Sequence, residues 1–300
     1  MELRPAGPFS LAASGRFLEG FAPASYGGPA VTGHLHLAFI VDGTDSPVGV
    51  CCRQKRDPQG SVEVESFGEA RPEAVRAQVR RILSLDVDGS GFSKVGKLDH
   101  VIGALQARYP GLRPVLFFSP YEAAAWAIIG ARISIRQAAR VKATMAERLG
   151  RKVDVHGERL HAFPDPTRLS QLDTFPGLFA RKPEWLRGVA QAALDGQLDA
   201  DRLRSLPTDE ALAELRSIPG IGPFSAELIL LRGAGEPDAV PTAEPRLRRA
   251  VGRAYGRPEP SDEELIAIAD GWRPYRTWAA LLLRMALEDE TGEIAGRRSA

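Results

Sequence analysis

The chain has 300 residues, 44% of them hydrophobic and 26% charged, and a formal net charge of +1. These figures suit a globular protein of about two domains. They exclude a polybasic nucleic-acid coat and a disordered chain, and the lack of any apolar run of about 18 residues excludes a membrane-spanning helix.

The N-terminal stretch MELRPAGPFSLAASGRF has no signal-peptide core. The only cysteines, Cys51 and Cys52, are neighbours, which rarely pair well and cannot make a metal set alone. A cytoplasmic location is therefore expected. His34, His36, His100, His156 and His161 fall in no HExxH or Cys/His zinc spacing, so no side-chain metal site is expected. DVDGSG, from Asp86, hints at a calcium loop, but Lys97 stands where the bidentate Glu is needed.

Along the chain, His34–Val41 (HLHLAFIV) and Val62–Phe67 (VEVESF) have the alternation and β-branched or aromatic residues of strands. Gly43, Pro47 and Gly60 lie in the turns between strand candidates. From Pro72 the period changes: Val75, Val79, Ile82 and Leu83 form a helical stripe. An antiparallel sheet with helices on one face is predicted for residues 1–94, a structural platform or, less readily, a DNA-facing saddle.

The rest is predicted to be helical over 95–288, with a flexible tail at 289–300. Leu98, Val101, Ile102 and Leu105 mark one helix. Ser119-Pro120-Tyr121-Glu122 reads as a capping box opening the nearly all-apolar YEAAAWAIIG. Ser134 with Gln137, and Ser261 with Glu264, give two more boxes. Arg136, Arg140, Lys142, Arg148 and Lys152 lie on or near one exposed helical side, which reads as a solvated face. Further helices are expected at Trp185–Leu194, Thr208–Arg216, Pro223–Arg232, Pro245–Tyr255, Asp262–Ala269 and Tyr275–Glu288.

The most informative stretch is LRSIPGIGPFSAELILLR, Leu215 to Arg232. Pro219, Gly220, Ile221 and Gly222 form a turn in which the glycines leave the backbone amides uncovered. Pro223 suits the first position of a following helix. A glycine turn opening a helix presents free N–H groups and the positive end of the dipole, a site for phosphate. That is the physics of a helix-hairpin-helix, which grips a DNA backbone without reading bases. An ordinary corner between two helices has the same local signature.

Just downstream, Pro245 opens a basic helix carrying Arg246, Arg248, Arg249 and Arg253, and Glu244 precedes it. A carboxylate there is favoured in its ionised form by the dipole. Beside a DNA-gripping hairpin it can stabilise positive charge developing on a sugar; without the hairpin it would read as an exposed Glu near a cap.

Taken together, LRSIPGIGPFSAELILLR, PDAVPTAEPRL, GWRPYRTWAALLLR, SPYEAAAWAIIGARIS and FPDPTRL resemble the helix-hairpin-helix DNA glycosylase superfamily. Within it the likeness is to bacterial 3-methyladenine DNA glycosylase II, over roughly residues 8 to 288. The resemblance implies an α+β fold: an N-terminal antiparallel sheet domain followed by a two-lobed all-α core with a DNA-facing cleft. It implies base excision repair, in which an alkylated purine is flipped out of duplex DNA and its glycosidic bond is cut. It also implies a monomer that needs no cofactor, apart from a sodium or potassium ion at the hairpin backbone.

Carried over residue by residue, the family's catalytic aspartate, six residues after the Asp matched by Asp238, corresponds to Glu244. Bifunctional relatives carry a lysine where Phe224 stands, which implies an enzyme without lyase chemistry. Pro219, Gly220, Ile221, Gly222 and Ser225 would meet DNA. So would Arg132, at the family's wedge position. Phe224, Leu228, Ala131 and Trp272 would form the base pocket, although Phe224 and Trp272 on their own read as core residues. The exchange of Asp for Glu leaves two alternatives: a non-catalytic damage-binding protein, or a glycosylase for a bulkier lesion.

Overall fold

The computed structural model describes residues 1–20 and 33–292. The main sheet contains β1 (Glu2–Leu3), β2 (His34–Ile40), β3 (Pro47–Gln54) and β4 (Val62–Phe67). Its order is β1-β4-β3-β2, antiparallel throughout. Helix α1 (Leu11–Gly20) precedes β2, and α2 (Pro72–Ile82) follows β4. Val75, Val79 and Ile82 of α2 share a buried core with Leu35, Leu37, Phe39, Val50 and Val64, one face of the pleated sheet. Pro47 begins β3 rather than lying in the turn; it pairs with Ile40 at the strand's first position, where proline is tolerated.

Next come α3 (Phe92–Leu98), α4 (His100–Arg108), α5 (Pro120–Gly130) and α6 (Ile135–Leu149). The single helix expected around Leu98 is two. Asp99 breaks the run and caps α4, accepting from the amides of Val101 and Ile102 at 2.9 and 3.1 Å. Leu98 is thereby left 86% exposed, outside the stripe. Ser119 caps α5 as expected, accepting from the Glu122 amide. The Glu122 carboxylate does not reach back to complete a box; it pairs with Lys142 of α6 at 3.0 Å. Lys142 therefore belongs to the packed side of α6, not to a solvated face. Both later boxes, Ser134/Gln137 and Ser261/Glu264, are complete.

The predicted helical region also contains a β-hairpin, β5 (Arg151–Val155) and β6 (Glu158–Ala162). Its two-residue loop, His156-Gly157, has φ of 52° and 82°, the geometry that matches strand twist. The hairpin packs on the sheet face opposite α2. Gly49 makes the close approach possible, since a Cβ there would stand 2.4 Å from a Val155 methyl.

The remaining helices are α7 (Pro166–Leu169), α8 (Lys182–Leu194), α9 (Ala200–Ser205), α10 (Thr208–Ser217), α11 (Pro223–Leu228), α12 (Pro245–Ala254), α13 (Asp262–Ala269) and α14 (Arg276–Thr291). The helix expected to run to Arg232 changes to a π-helical turn over Ile229–Ala234, ended by Gly235 at φ 87°. Residues 289–291, expected in the tail, are helical, with Asp289 accepting from Tyr109 and Arg108. The tail residues 293–300 lie outside the described residues.

Two large cores result. One centres on α5, α8 and the π-helical turn. The other joins the sheet and α2 to α4, α12 and α14, so packing is continuous across residue 94. Among the described residues, no helix is long and apolar enough to cross a membrane.

Candidate active site

The hairpin forms where α10 ends and α11 begins. Ile218 and Ile221 are buried and anchor the turn, while Pro219, Gly220 and Gly222 are exposed. Gly220 has φ 87°, and a Cβ there would lie 2.7 Å from Ile128 and 2.8 Å from Trp185. Only glycine lets the turn sit this close to α5 and α8. No side chain caps α11, so its first amides are left for an outside acceptor.

Behind the hairpin is a cavity with apolar walls from Phe224, Leu228 and Leu281 and a charged end made by Glu227, Glu244, Arg232 and Arg284. The loop from the π-helical turn to α12 brings Glu244 there. Asp238 holds this loop against the start of α14 by accepting from Arg276 Nε at 2.8 Å and Arg273 Nη1 at 3.1 Å. Thr277 adds bonds to Pro237 and Ala239.

Glu244 caps α12 with its side chain, which accepts from the Arg246 amide at 3.2 Å. The Arg246 guanidinium donates to both carboxylate oxygens, at 3.0 and 3.2 Å, and Arg284 lies 3.4 Å away. The residue is only 4% exposed. Burial alone would push its carboxyl up; Arg284 and the Arg246 contacts outweigh that and hold the pKa below the ordinary value. The carboxylate is ionised at neutral pH.

Glu227 is the second buried carboxylate of the cavity. It accepts from the Thr242 hydroxyl at 3.0 Å and from the Ala243 amide at 3.0 and 3.2 Å, bracing the two residues just before Glu244. Burial raises its pKa, Thr242 and Ala243 oppose the rise, and the charge of Glu244 adds to it. Arg232 is brought down to about 9 by burial, with repulsion from Arg284. Charged groups of opposite tendency thus share one dry end of the cavity.

No family model matches the chain. It is 30% identical over 215 residues to a probable bifunctional transcriptional activator/DNA repair enzyme AlkA of Mycobacterium tuberculosis, a match covering 71% of this chain and 42% of that protein. The chain thus spans less than half the length of this curated relative. It is 24% identical over 232 residues to a DNA-3-methyladenine glycosylase of Bacillus subtilis, covering 73% and 76% of the two chains. The structure of a 3-methyladenine DNA glycosylase from Archaeoglobus fulgidus superposes with a TM-score of 0.77 at 24% identity, over 97% of this chain and 98% of the other. These likenesses support the helix-hairpin-helix DNA glycosylase superfamily as the family the chain resembles, and the Archaeoglobus structure shows that the fold is shared.

Within this glycosylase-family fold, the sequence-predicted residues divide into two groups. Glu244, Phe224 and Leu228 meet at the cavity, with the hairpin residues and the half-buried Ser225 next to them. Ala131 and Trp272 do not line it. Ala131 ends α5. Trp272 is fully buried in the core shared with the sheet, where its indole N–H donates to Asp99 at 3.1 Å and Tyr255 at 3.2 Å. Its aromatic face is therefore unavailable to a base. Arg132 is exposed just beyond α5, with φ 59°, and is also absent from the cavity. Sequence reasoning missed Glu227 and Arg284. Both lie in apolar helical runs, where a lone charge is a signal for a buried ion pair or a site.

Proposed function

We propose that the protein is a monofunctional DNA glycosylase that flips alkylated, cationic purines out of duplex DNA and hydrolyses their glycosidic bond. The observation that carries this reading is Glu244: a buried, ionised carboxylate at the end of a cavity whose mouth holds the 43% exposed Phe224. The exposed hairpin amides beside it grip backbone phosphate, which positions without reading sequence. The flipped base lies against Phe224, whose ring face attracts a cation.

A purine carrying a positive charge is a good leaving group, so the bond from C1′ breaks with its electron pair going to the base. The deoxyribose develops oxocarbenium character, which the fixed charge of Glu244 stabilises. Water then adds to C1′ and loses a proton. For the sugar to approach, Arg246 must swing aside, a movement open to a side chain that is 28% exposed. No lysine lines the cavity, so no amine stands ready for a Schiff base. A sodium or potassium ion would be held by backbone carbonyls of the exposed turn, hard oxygen donors that suit such a cation.

The test is release of free base from duplexes carrying several methylated or bulkier purines. Release of a methylated purine supports the reading. Tight binding to damaged duplex with no base released overturns it in favour of a damage-binding protein. Release of only the bulkier purines reassigns the substrate.

A further inference from the structure

The sheet face away from α2 carries a group of residues that the glycosylase reading does not use. His34 and His36 are two apart on β2, so both project to that face. Cys51 on β3 is the direct cross-strand partner of His36. The ligand atoms of His34, His36 and Cys51 all lie within 4.8 Å of one another.

The surroundings favour metal ligation. Glu158, at the start of β6, lies 2.7 Å from His36 Nδ1. A carboxylate only accepts, so Nδ1 carries a hydrogen, which makes Nε2 the ring atom that can face a metal ion. That Nε2 is buried and has no hydrogen-bond partner. A carboxylate orienting the far nitrogen of a histidine is the arrangement that holds metal-ligating imidazoles in place. The positive charge of Arg53 beside Cys51 is partnered by Glu65 at 3.9 Å, and Glu158 brings a second carboxylate to the same face.

We propose that His34, His36 and Cys51 form a binding site for a zinc-type divalent cation, with solvent as the fourth ligand and Glu158 as the carboxylate that orients His36. Two imidazoles and one thiolate are borderline-soft donors that suit zinc. Ligand bonds of about 2.0–2.3 Å place tetrahedral donors about 3.5 Å apart. Small side-chain rotations at His34, the first residue of its strand, close the set to that spacing. On binding, the Cys51 thiol loses its proton to solvent. The ion then ties β2 to β3 and, through Glu158, to the hairpin.

The test uses the full chain, stripped with a chelator and titrated with Zn²⁺ by calorimetry, and with Co²⁺ by absorption. The expected result is one equivalent of zinc, a rise in melting temperature, and a thiolate-to-cobalt charge-transfer band. Cys51→Ser should abolish that band, and His36→Ala should abolish zinc binding. Glu158→Gln should weaken zinc binding about 10- to 100-fold. Should Cys51→Ser fail to fold, His34→Gln reads the same loss of zinc affinity. Zinc binding of equal strength in wild type, His36→Ala and His34→Gln overturns the proposal. So does a cobalt spectrum lacking the thiolate band, or no binding at all.

Discussion

Arg284 of α14 places Nη1 3.4 Å from Oε2 of Glu244 at the head of α12. Glu244 is buried and Arg284 half-buried, and each opposes the desolvation of the other. Breaking such a pair from one side leaves an uncompensated charge in a dry site.

A pH profile reads this pair directly. The native pKa of Glu244 is lowered, so its contribution to stability is present above the unfolded carboxyl value and is lost as pH falls through the lower native value. Base release should therefore hold its rate down to about pH 5, since an ordinary Glu titrates near 4.3. Arg284→Met takes away an attraction for the ionised form, so the acid limb should move to higher pH and the fold should weaken. Single-turnover rates across pH 4 to 8, with urea melts at each pH, check both. An acid limb at the same pH in both forms would show that the pair does not set the carboxylate.

The two hairpin glycines separate folding from DNA contact. Gly222 has ordinary extended backbone, and a Cβ there meets nothing within 4 Å. Gly222→Ala should fold normally and weaken binding to damaged and undamaged duplex alike, because it covers amides that face phosphate. Gly220→Ala should lose about 1–3 kcal/mol of stability, from left-handed backbone and collision with Ile128 and Trp185. Unchanged duplex affinity of Gly222→Ala would take the turn out of the interface.

Lyase chemistry should be absent. Two lysines near the helical lobe are occupied: Lys182 donates to the Ile129 carbonyl at 2.8 Å, and Lys142 pairs with Glu122. Borohydride added during a reaction on damaged duplex should trap no covalent protein–DNA adduct. An adduct formed in good yield would reveal another amine at the cavity.

Much of this arrangement was legible in the sequence because it is local. The caps at Ser134 and Ser261, the turn at Gly220 and the place of Glu244 before Pro245 depend on neighbours a few residues apart. What was missed is long-range. Trp272 serves Asp99, 173 residues away, rather than a base pocket, and no local pattern shows that. Glu227 stands in the run SAELILLR, and its partners come from a loop 15 and 16 residues further on. The β5–β6 hairpin did leave a local sign, His156-Gly157 between two alternating runs, although helices surround it. His34, His36 and Cys51 become a set only once the β2–β3 register is known.

Glu227 should behave as a brace for Glu244. Glu227→Ala leaves the Thr242 hydroxyl and the Ala243 amide without an acceptor and should cost about 1–3 kcal/mol. Glu227→Gln keeps one acceptor oxygen and removes a buried charge. The native pKa of Glu227 is raised, so the folded state binds more protons between the unfolded and native values. The wild type should therefore gain stability as pH falls through that window, and the Gln form should not. Urea midpoints from pH 4 to 8 measure this; parallel curves for the two forms would show that Glu227 is not strained by burial.

Glu244 itself is the sharpest test. Glu244→Gln is close in shape, can still accept from the Arg246 amide, and removes only the charge that would support the sugar cation. It should keep the fold and duplex binding and release base about 100- to 1000-fold more slowly, the usual loss for one preorganised electrostatic group. Glu244→Asp keeps the charge but withdraws it by one methylene, about 1 Å or more, enough to cost on the order of a hundredfold where the backbone is placed for Glu. The bidentate grip of Arg246 and the approach of Arg284 are both built around the longer arm, so the Asp form should be slower than wild type on this protein's own lesion. Single-turnover release by all three forms on one damaged duplex decides it. Equal rates for wild type and Gln would remove Glu244 from catalysis. Release by the Asp form alone would mean that the longer arm, clamped by two arginines, silences the chemistry.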